Sequence, residues 1–124
     1  MAKCSKRGSS SELAVKIVKN EPNYTRQGIL EIKILKELEK RPDTASENHI
    51  VTMIDHFMFR NHVCIVFEVL HWSLLDLLDT FKCKGLCLSM IQNIISQILL
   101  GISQLKALRI IHCDLKPENV LFKE

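Results

Sequence analysis

Residues 110–122, IIHCDLKPENVLF, set a carboxylate (Asp114), an ammonium (Lys116) and a carboxamide (Asn119) at short spacing inside an apolar frame of Ile110, Ile111, Val120 and Leu121. Pro117 fixes a backbone dihedral between them, so the three polar groups sit on a stiffened loop anchored at both ends. A carboxylate there can accept a proton from a hydroxyl nucleophile. An ammonium can neutralise charge on a transferring phosphoryl group, and a carboxamide oxygen can ligate a divalent cation. Those are the parts that phosphoryl transfer requires.

A second ammonium stands far upstream. Lys16 lies in ELAVKIVKN, where Leu13, Val15 and Ile17 alternate with Ala14, Lys16 and Val18, the period of a strand. A lone AVK reads equally well as a solvated lysine on an edge strand. Glu31 bears on the choice: it precedes Leu35 by four residues and Leu38 by seven, so in a helix it shares their apolar face. Two readings of Glu31 stand. Either it pairs with Lys16, which a carboxylate turned toward a core needs, or it sits solvated at the edge of the stripe.

The elements that must hold these groups follow from the pattern around them. GSSS (8–11) separates a short N-terminal strand from ELAVKIVKN, giving a β-hairpin. Pro22 stops the second strand, and Asn23 or Thr25 can cap a helix to about Lys40, with Ile29, Ile32, Leu35 and Leu38 on its apolar side and Pro42 as its stop. The polar RPDTASEN (41–48) reads as a loop. HIVTMIDHFMFR and HVCIVFEVL, parted by Arg60 and Asn61, read as two antiparallel strands. Helical spacing then gives a short helix at about 73–81, a turn at Gly85 and a long helix from about Ser89 to Leu108. A β-rich half and a helical half thus meet near residues 67–73, a natural place for a ligand cleft.

Composition bounds the reading. The 124 residues suit one small domain or a piece of one, with 47% apolar and 25% charged residues, a globular balance. The net charge of +3 comes from 17 basic and 14 acidic residues scattered along the chain, with no like-charge block beyond Lys3, Lys6 and Arg7, so nucleic acid is not an expected partner. The five cysteines form no CxxC pair and no signal-like apolar run opens the chain, which points to a reducing, intracellular setting. The five histidines lack zinc-site spacing. Leu86–Ile111, the most apolar stretch, is broken by Gln92, Asn93, Ser96, Gln97, Gln104, Lys106 and Arg109, so no membrane span is expected.

With these residues in place, the sequence resembles a eukaryotic protein kinase. HCDLKPEN is similar to the catalytic loop written HRDxxxxN, AVK to the strand-three lysine motif, and Glu31 falls where the family's helix-C glutamate stands. FMFRNHVCIVFEVL, then SLLDLL, and Cys113 in place of the usual arginine resemble the dual-specificity tyrosine-regulated kinase (DYRK) group. Homeodomain-interacting kinases look similar but tend to carry alanine at the Cys113 position. The resemblance runs from about Ala2 to Phe122.

The resemblance implies an α+β, kinase-like fold: a small β-rich N-lobe with one helix and the hinge over about residues 1–70, then the first helices and catalytic loop of a helical C-lobe over 71–124. It implies ATP and Mg²⁺ as cofactors, a protein hydroxyl as substrate, and residence in the cytoplasm or nucleus. Lys16 would hold the α and β phosphates with Glu31 as its partner, Asp114 would orient or deprotonate the substrate hydroxyl, Lys116 would touch the γ-phosphate, and Asn119 would bind Mg²⁺. Phe67 would be the gatekeeper, Glu68 and Leu70 would offer hinge backbone to adenine, and Ala14 with Leu121 would sandwich the ring. Leu35 and His112 would belong to the stacked apolar spine. Cys113, with no obvious base beside it in sequence, reads by itself as a small buried side chain and not a nucleophile.

The GxGxxG loop, DFG and APE segments of the family are not in these residues. The expectation is therefore a partial kinase domain, inactive by itself. The alternative is a kinase-like binding protein without catalysis, docking on a chaperone or another kinase.

Overall fold

The computed structural model describes residues 2–5, 12–39, 49–82 and 84–123. The GSSS punctuation, the 41–48 loop and the proposed stop at Pro42 lie outside the described residues. The elements run β1 (Ala2–Ser5), β2 (Glu12–Ile17), α1 (Pro22–Glu39), β3 (Met53–Phe59), β4 (His62–Glu68), α2 (Leu74–Thr80) and α3 (Leu88–Ala107). This is the α+β class expected from the sequence. The chain divides into two units, Met1–Ser46 with Val51–Val69, and Glu47–Ile50 with Leu70–Glu124.

In the first unit an antiparallel sheet has the order β1-β2-β4-β3. β4 is an unbroken apolar run, Val63 to Phe67, and every one of those residues is buried. Its odd positions, Val63, Ile65 and Phe67, join Leu35 of α1 and Met53 of β3 in the core, with Ala14, Val18, Ile32 and Leu38 against them. Each such side chain contributes about 1.5–3 kcal/mol on burial, which makes this cluster the main source of the unit's stability. β3 and β4 are joined by Arg60 (φ 46°) and Asn61 (φ 64°). Two consecutive left-handed residues form the tight turn whose twist matches a hairpin.

Two sequence expectations need correction here. Pro22 does more than stop β2, because the helix begins at Pro22 itself and Asn23 and Thr25 lie inside it. The first helical position suits proline, whose φ is preset and whose missing N–H would have found no partner in the helix. Ile29, assigned to the apolar side, is 46% exposed. The residue that faces the sheet one position earlier is Gly28, which is buried.

In the second unit, Ser73 caps α2 with a reciprocal box: its Oγ accepts the Asp76 N–H at 3.2 Å, and the Asp76 carboxylate accepts the Ser73 N–H at 2.7 Å. Gly85, at φ 94°, makes the expected turn before α3. α3 ends with Arg109 left-handed at φ 56°, its N–H donating to the Lys106 carbonyl while Ile110 N–H reaches Leu105 O. That terminal pattern sends the chain back along the helix into the polar loop. Beyond a 3-10 turn at Pro117–Asn119, residues 120–122 run antiparallel to 71–74: Leu121 bridges Ser73, and Phe122 exchanges backbone hydrogen bonds with His71 and Trp72 at 2.8 and 2.9 Å. Both ends of the Asp114 loop are thereby tied down.

Candidate functional site

Lys16 extends from β2 beside Ala14 and Val18, opposite Ile65 of β4. Its Nζ lies 2.7 Å from Glu31 Oε1 and 2.8 Å from Oε2, so both carboxylate oxygens accept from one ammonium. This settles the two readings of Glu31 in favour of the ion pair. Both side chains keep more than a third of their surface in water, 43% and 36%. A pair so exposed adds little to stability, and its effect is to fix where the ammonium points.

Ala14 pairs with Phe67 in the β2–β4 register, and Phe67 is buried in the core. Glu68 closes β4, and its Oε1 accepts the Thr52 N–H at 3.0 Å. Nothing in the sequence signalled that contact, which lies next to the irregular register between Met53 and Asp55. Leu70 opens the main stretch of the second unit, just before the backbone that pairs with Phe122, and Leu121 bridges Ser73 in the same ladder. The structure thus brings together Lys16 with Glu31, Ala14 with Phe67, and, in the other unit, Asp114 with Lys116 and Asn119.

That last cluster is built by the loop itself. Lys116 Nζ lies 2.9 Å from Asp114 Oδ2, and Asn119 Nδ2 donates to Asp114 Oδ2 and to the Asp114 carbonyl, each at 2.9 Å. His112 Nδ1 accepts the Asp114 N–H at 3.2 Å. The Lys116 hydrogen bond, then that of Asn119, holds the Asp114 carboxyl below its usual range, and Asp114 in turn raises Lys116 above the usual lysine range. Asp114 is exposed and ionised, a carboxylate ready to accept a hydrogen bond from a hydroxyl. Cys113 departs from expectation: at φ 65° the backbone turns it outward and it is exposed, its Sγ 3.5 Å from Ile111 O.

The donor set can be tested against magnesium. Asn119 spends its nitrogen on Asp114, which leaves its Oδ1 as the atom suited to a cation. Among the described residues no three His, Cys, Asp or Glu side chains cluster into a metal cage. Mg²⁺ is ordinarily held by one or two protein oxygens together with phosphates and water, so one amide oxygen beside a carboxylate fits a cation shared with a nucleotide. A cavity of about 590 Å³ beside the loop is lined largely by Ile102, Leu105, Ile110, Ile111 and Leu115, with Asp114 absent from its wall. Its chemistry is that of apolar packing.

A protein kinase domain model matches residues 1–124. The chain is 44% identical over 121 residues to the dual specificity protein kinase YAK1 homolog of Arabidopsis thaliana, covering 98% of this chain and 13% of that protein. It is 38% identical over 124 residues to serine/threonine-protein kinase ppk15 of Schizosaccharomyces pombe, with 100% and 23% covered. Against homeodomain-interacting protein kinase 1 of Mus musculus it is 41% identical over 121 residues, with 98% and 10% covered. The chain therefore spans less than a quarter of the length of these relatives.

Proposed function

The chain belongs to the protein kinase family, and from that membership we propose that it carries part of the machinery that moves the γ-phosphate of ATP to protein hydroxyls, with serine/threonine or dual specificity. The observation that carries the reading is the Asp114–Lys116–Asn119 cluster: an ionised carboxylate, an ammonium and an amide oxygen held within one short loop.

In this reading Lys16, oriented by Glu31, grips the α and β phosphates. Asp114 accepts a hydrogen bond from the incoming hydroxyl and orients it; its lowered pKa makes it a weak base, so proton acceptance comes late, as the new P–O bond forms. Lys116, beside it, offers its charge to the γ-phosphoryl group in transit. Asn119 Oδ1 would help hold Mg²⁺, which when bound neutralises phosphate charge. Ala14 and Leu121 would enclose adenine, Glu68 and Leu70 would offer it backbone groups, and Phe67 would limit the space behind it.

α3 is long and apolar enough, by length and composition, to cross a membrane. Gln92, Asn93, Gln97, Gln104 and Lys106 along it, and the family membership, favour a helix covered by protein, in a cytoplasmic or nuclear molecule. The exposed apolar residues of the same helix favour a second reading, a kinase-like protein that binds a chaperone or another kinase without catalysis.

Titration of the purified chain with Mg·ATP, followed by a phosphoryl-transfer assay, separates the readings. The kinase reading expects nucleotide binding that Lys16→Met weakens, without turnover from these 124 residues alone. Nucleotide binding indifferent to Lys16→Met would sink that reading, and turnover abolished by Asp114→Asn would show the chain to be sufficient.

A further inference from the structure

Gly28 lies one helical turn before Glu31 on the side of α1 that meets the sheet, in line with Ile32 and Leu35. A β-carbon at this position would stand 3.1 Å from Val18 Cγ2 and 3.3 Å from Val63 Cγ1, closer than side chains normally pack. Neither valine can easily yield. Val63 is 1% exposed, in the middle of the core. Val18 is held at both ends of its peptide: its N–H donates to Val63 O at 2.9 Å, and its carbonyl, which can only accept, lies 2.8 Å from His62 Nδ1.

We infer that Gly28 is a positioning residue for the phosphate-holding lysine: the missing side chain lets α1 settle onto β2 and β4 at the distance where both Glu31 oxygens reach Lys16. The inference rests on the reading of Lys16 as the group that holds nucleotide. Any larger residue moves the obstruction to the helix, because the sheet side is fixed. Glu31, three residues along the same face, moves out with it, and a two-point grip at 2.7 and 2.8 Å has little slack. Intrinsic helix propensity does not call for the glycine, since alanine is the better helix former within α1.

The test is trace acetylation of the 124-residue chain, with the labelling of Lys16 on β2 measured by mass spectrometry against that of exposed Lys33 on α1. Releasing an exposed ion pair should raise relative Lys16 labelling about two- to fivefold in Glu31→Gln and Gly28→Val. Gly28→Ala should give a smaller rise, and this variant decides if the valine variant does not fold by circular dichroism. Val18→Ala, which removes Cγ2, should return Gly28→Ala toward the wild-type value while leaving the wild type unchanged. A role limited to stability would not produce that rescue.

Folded Gly28 variants in which Lys16 stays protected while Glu31→Gln exposes it would overturn the inference. So would a chain in which Glu31→Gln changes nothing, because the pair would then not govern Lys16. Labelling reports the pair without nucleotide, so a parallel Mg·ATP titration separates the two claims. Loss of the Lys16 effect on nucleotide binding, with labelling as expected, removes the kinase reading and leaves the role of Gly28 in the ion pair standing.

Discussion

Asn119 holds Asp114 twice, through its carbonyl oxygen and through Oδ2, with one amide nitrogen at 2.9 Å from each. The grip depends on the 3-10 turn at Pro117–Asn119, where Asn119 N–H donates to Lys116 O at 2.9 Å and brings the amide back over the start of the loop. One carboxylate is thereby fixed in position by its backbone and in rotation by its side chain. Lys116 shares the same Oδ2, so both side-chain contacts fall on one carboxylate oxygen.

The first prediction concerns titration. Lys116 is the larger cause of the lowered Asp114 pKa and Asn119 the second, so Lys116→Met should move the Asp114 carboxyl upward more than Asn119→Ala does. Carboxyl-carbon NMR reads this directly. Because the folded value is depressed, what the pair adds is present above the ordinary carboxyl range and is lost as pH falls through the lowered value. Lys116 is raised, so its share is present below the ordinary lysine range and is lost as pH rises through the raised value. Near neutrality neither changes. An equal response to the two substitutions would contradict the order of causes.

The second prediction separates binding from stability at Lys16. On the proposed reading, in which Lys16 is a charged hydrogen-bonding partner of phosphate, Lys16→Met should weaken Mg·ATP binding by about ten- to a hundredfold. Loss of the partly exposed pair should cost the fold less than about 1 kcal/mol. Calorimetric titration and urea unfolding of the same variant measure the two, and a large loss of stability with unchanged affinity would reverse the assignment.

The order of elements was legible because it leaves local marks, alternation on strands and prolines and glycines at boundaries, whereas the turn-spaced Glu31 left the Lys16–Glu31 pair as one of two readings. The Asp114 cluster was legible as a string, since its partners lie within five residues. What was not legible arises from tertiary distance. Ile29 carried a helical apolar signal yet lies in water, while Gly28 beside it, with no hydrophobic signal, makes the close contact with Val18 and Val63. Cys113 reads as a small apolar residue, but a left-handed backbone turns it outward. Glu68 reaches Thr52 across sixteen residues of sequence, beside the irregular register at the start of β3.

A third prediction follows from the cap of α2. Ser73 accepts the Asp76 N–H and also bridges Leu121, so it links the helix to the far end of the Asp114 loop. Ser73→Ala should cost about 1 kcal/mol, seen as a drop of a few degrees in the thermal midpoint. The same substitution should raise the Asp76 carboxyl toward its usual range, since Ser73 hydrogen bonds are what lower it. Backbone amide exchange at Leu74, bonded to Val120 O, should quicken. An unchanged midpoint and exchange rate would show the cap to be dispensable.

The last prediction concerns the apolar side of α3. Ile91, Ile95 and Leu99 recur every four residues, so they form one stripe, and the latter two are 47% and 58% exposed. Each leaves unrealised about half of the roughly 1.5–3 kcal/mol that full burial gives, enough in sum to drive association or dye binding. The purified chain should bind an anilinonaphthalene dye and sediment with a concentration-dependent mass. Ile95→Gln with Leu99→Gln should reduce both while leaving the helical circular dichroism intact, because glutamine is a good helix former and neither side chain is buried. If dye binding instead persists and tracks loss of helix, the stripe is not what the dye meets, and the association belongs to other exposed apolar residues such as Leu88, 69% exposed, and Ile111, 83% exposed.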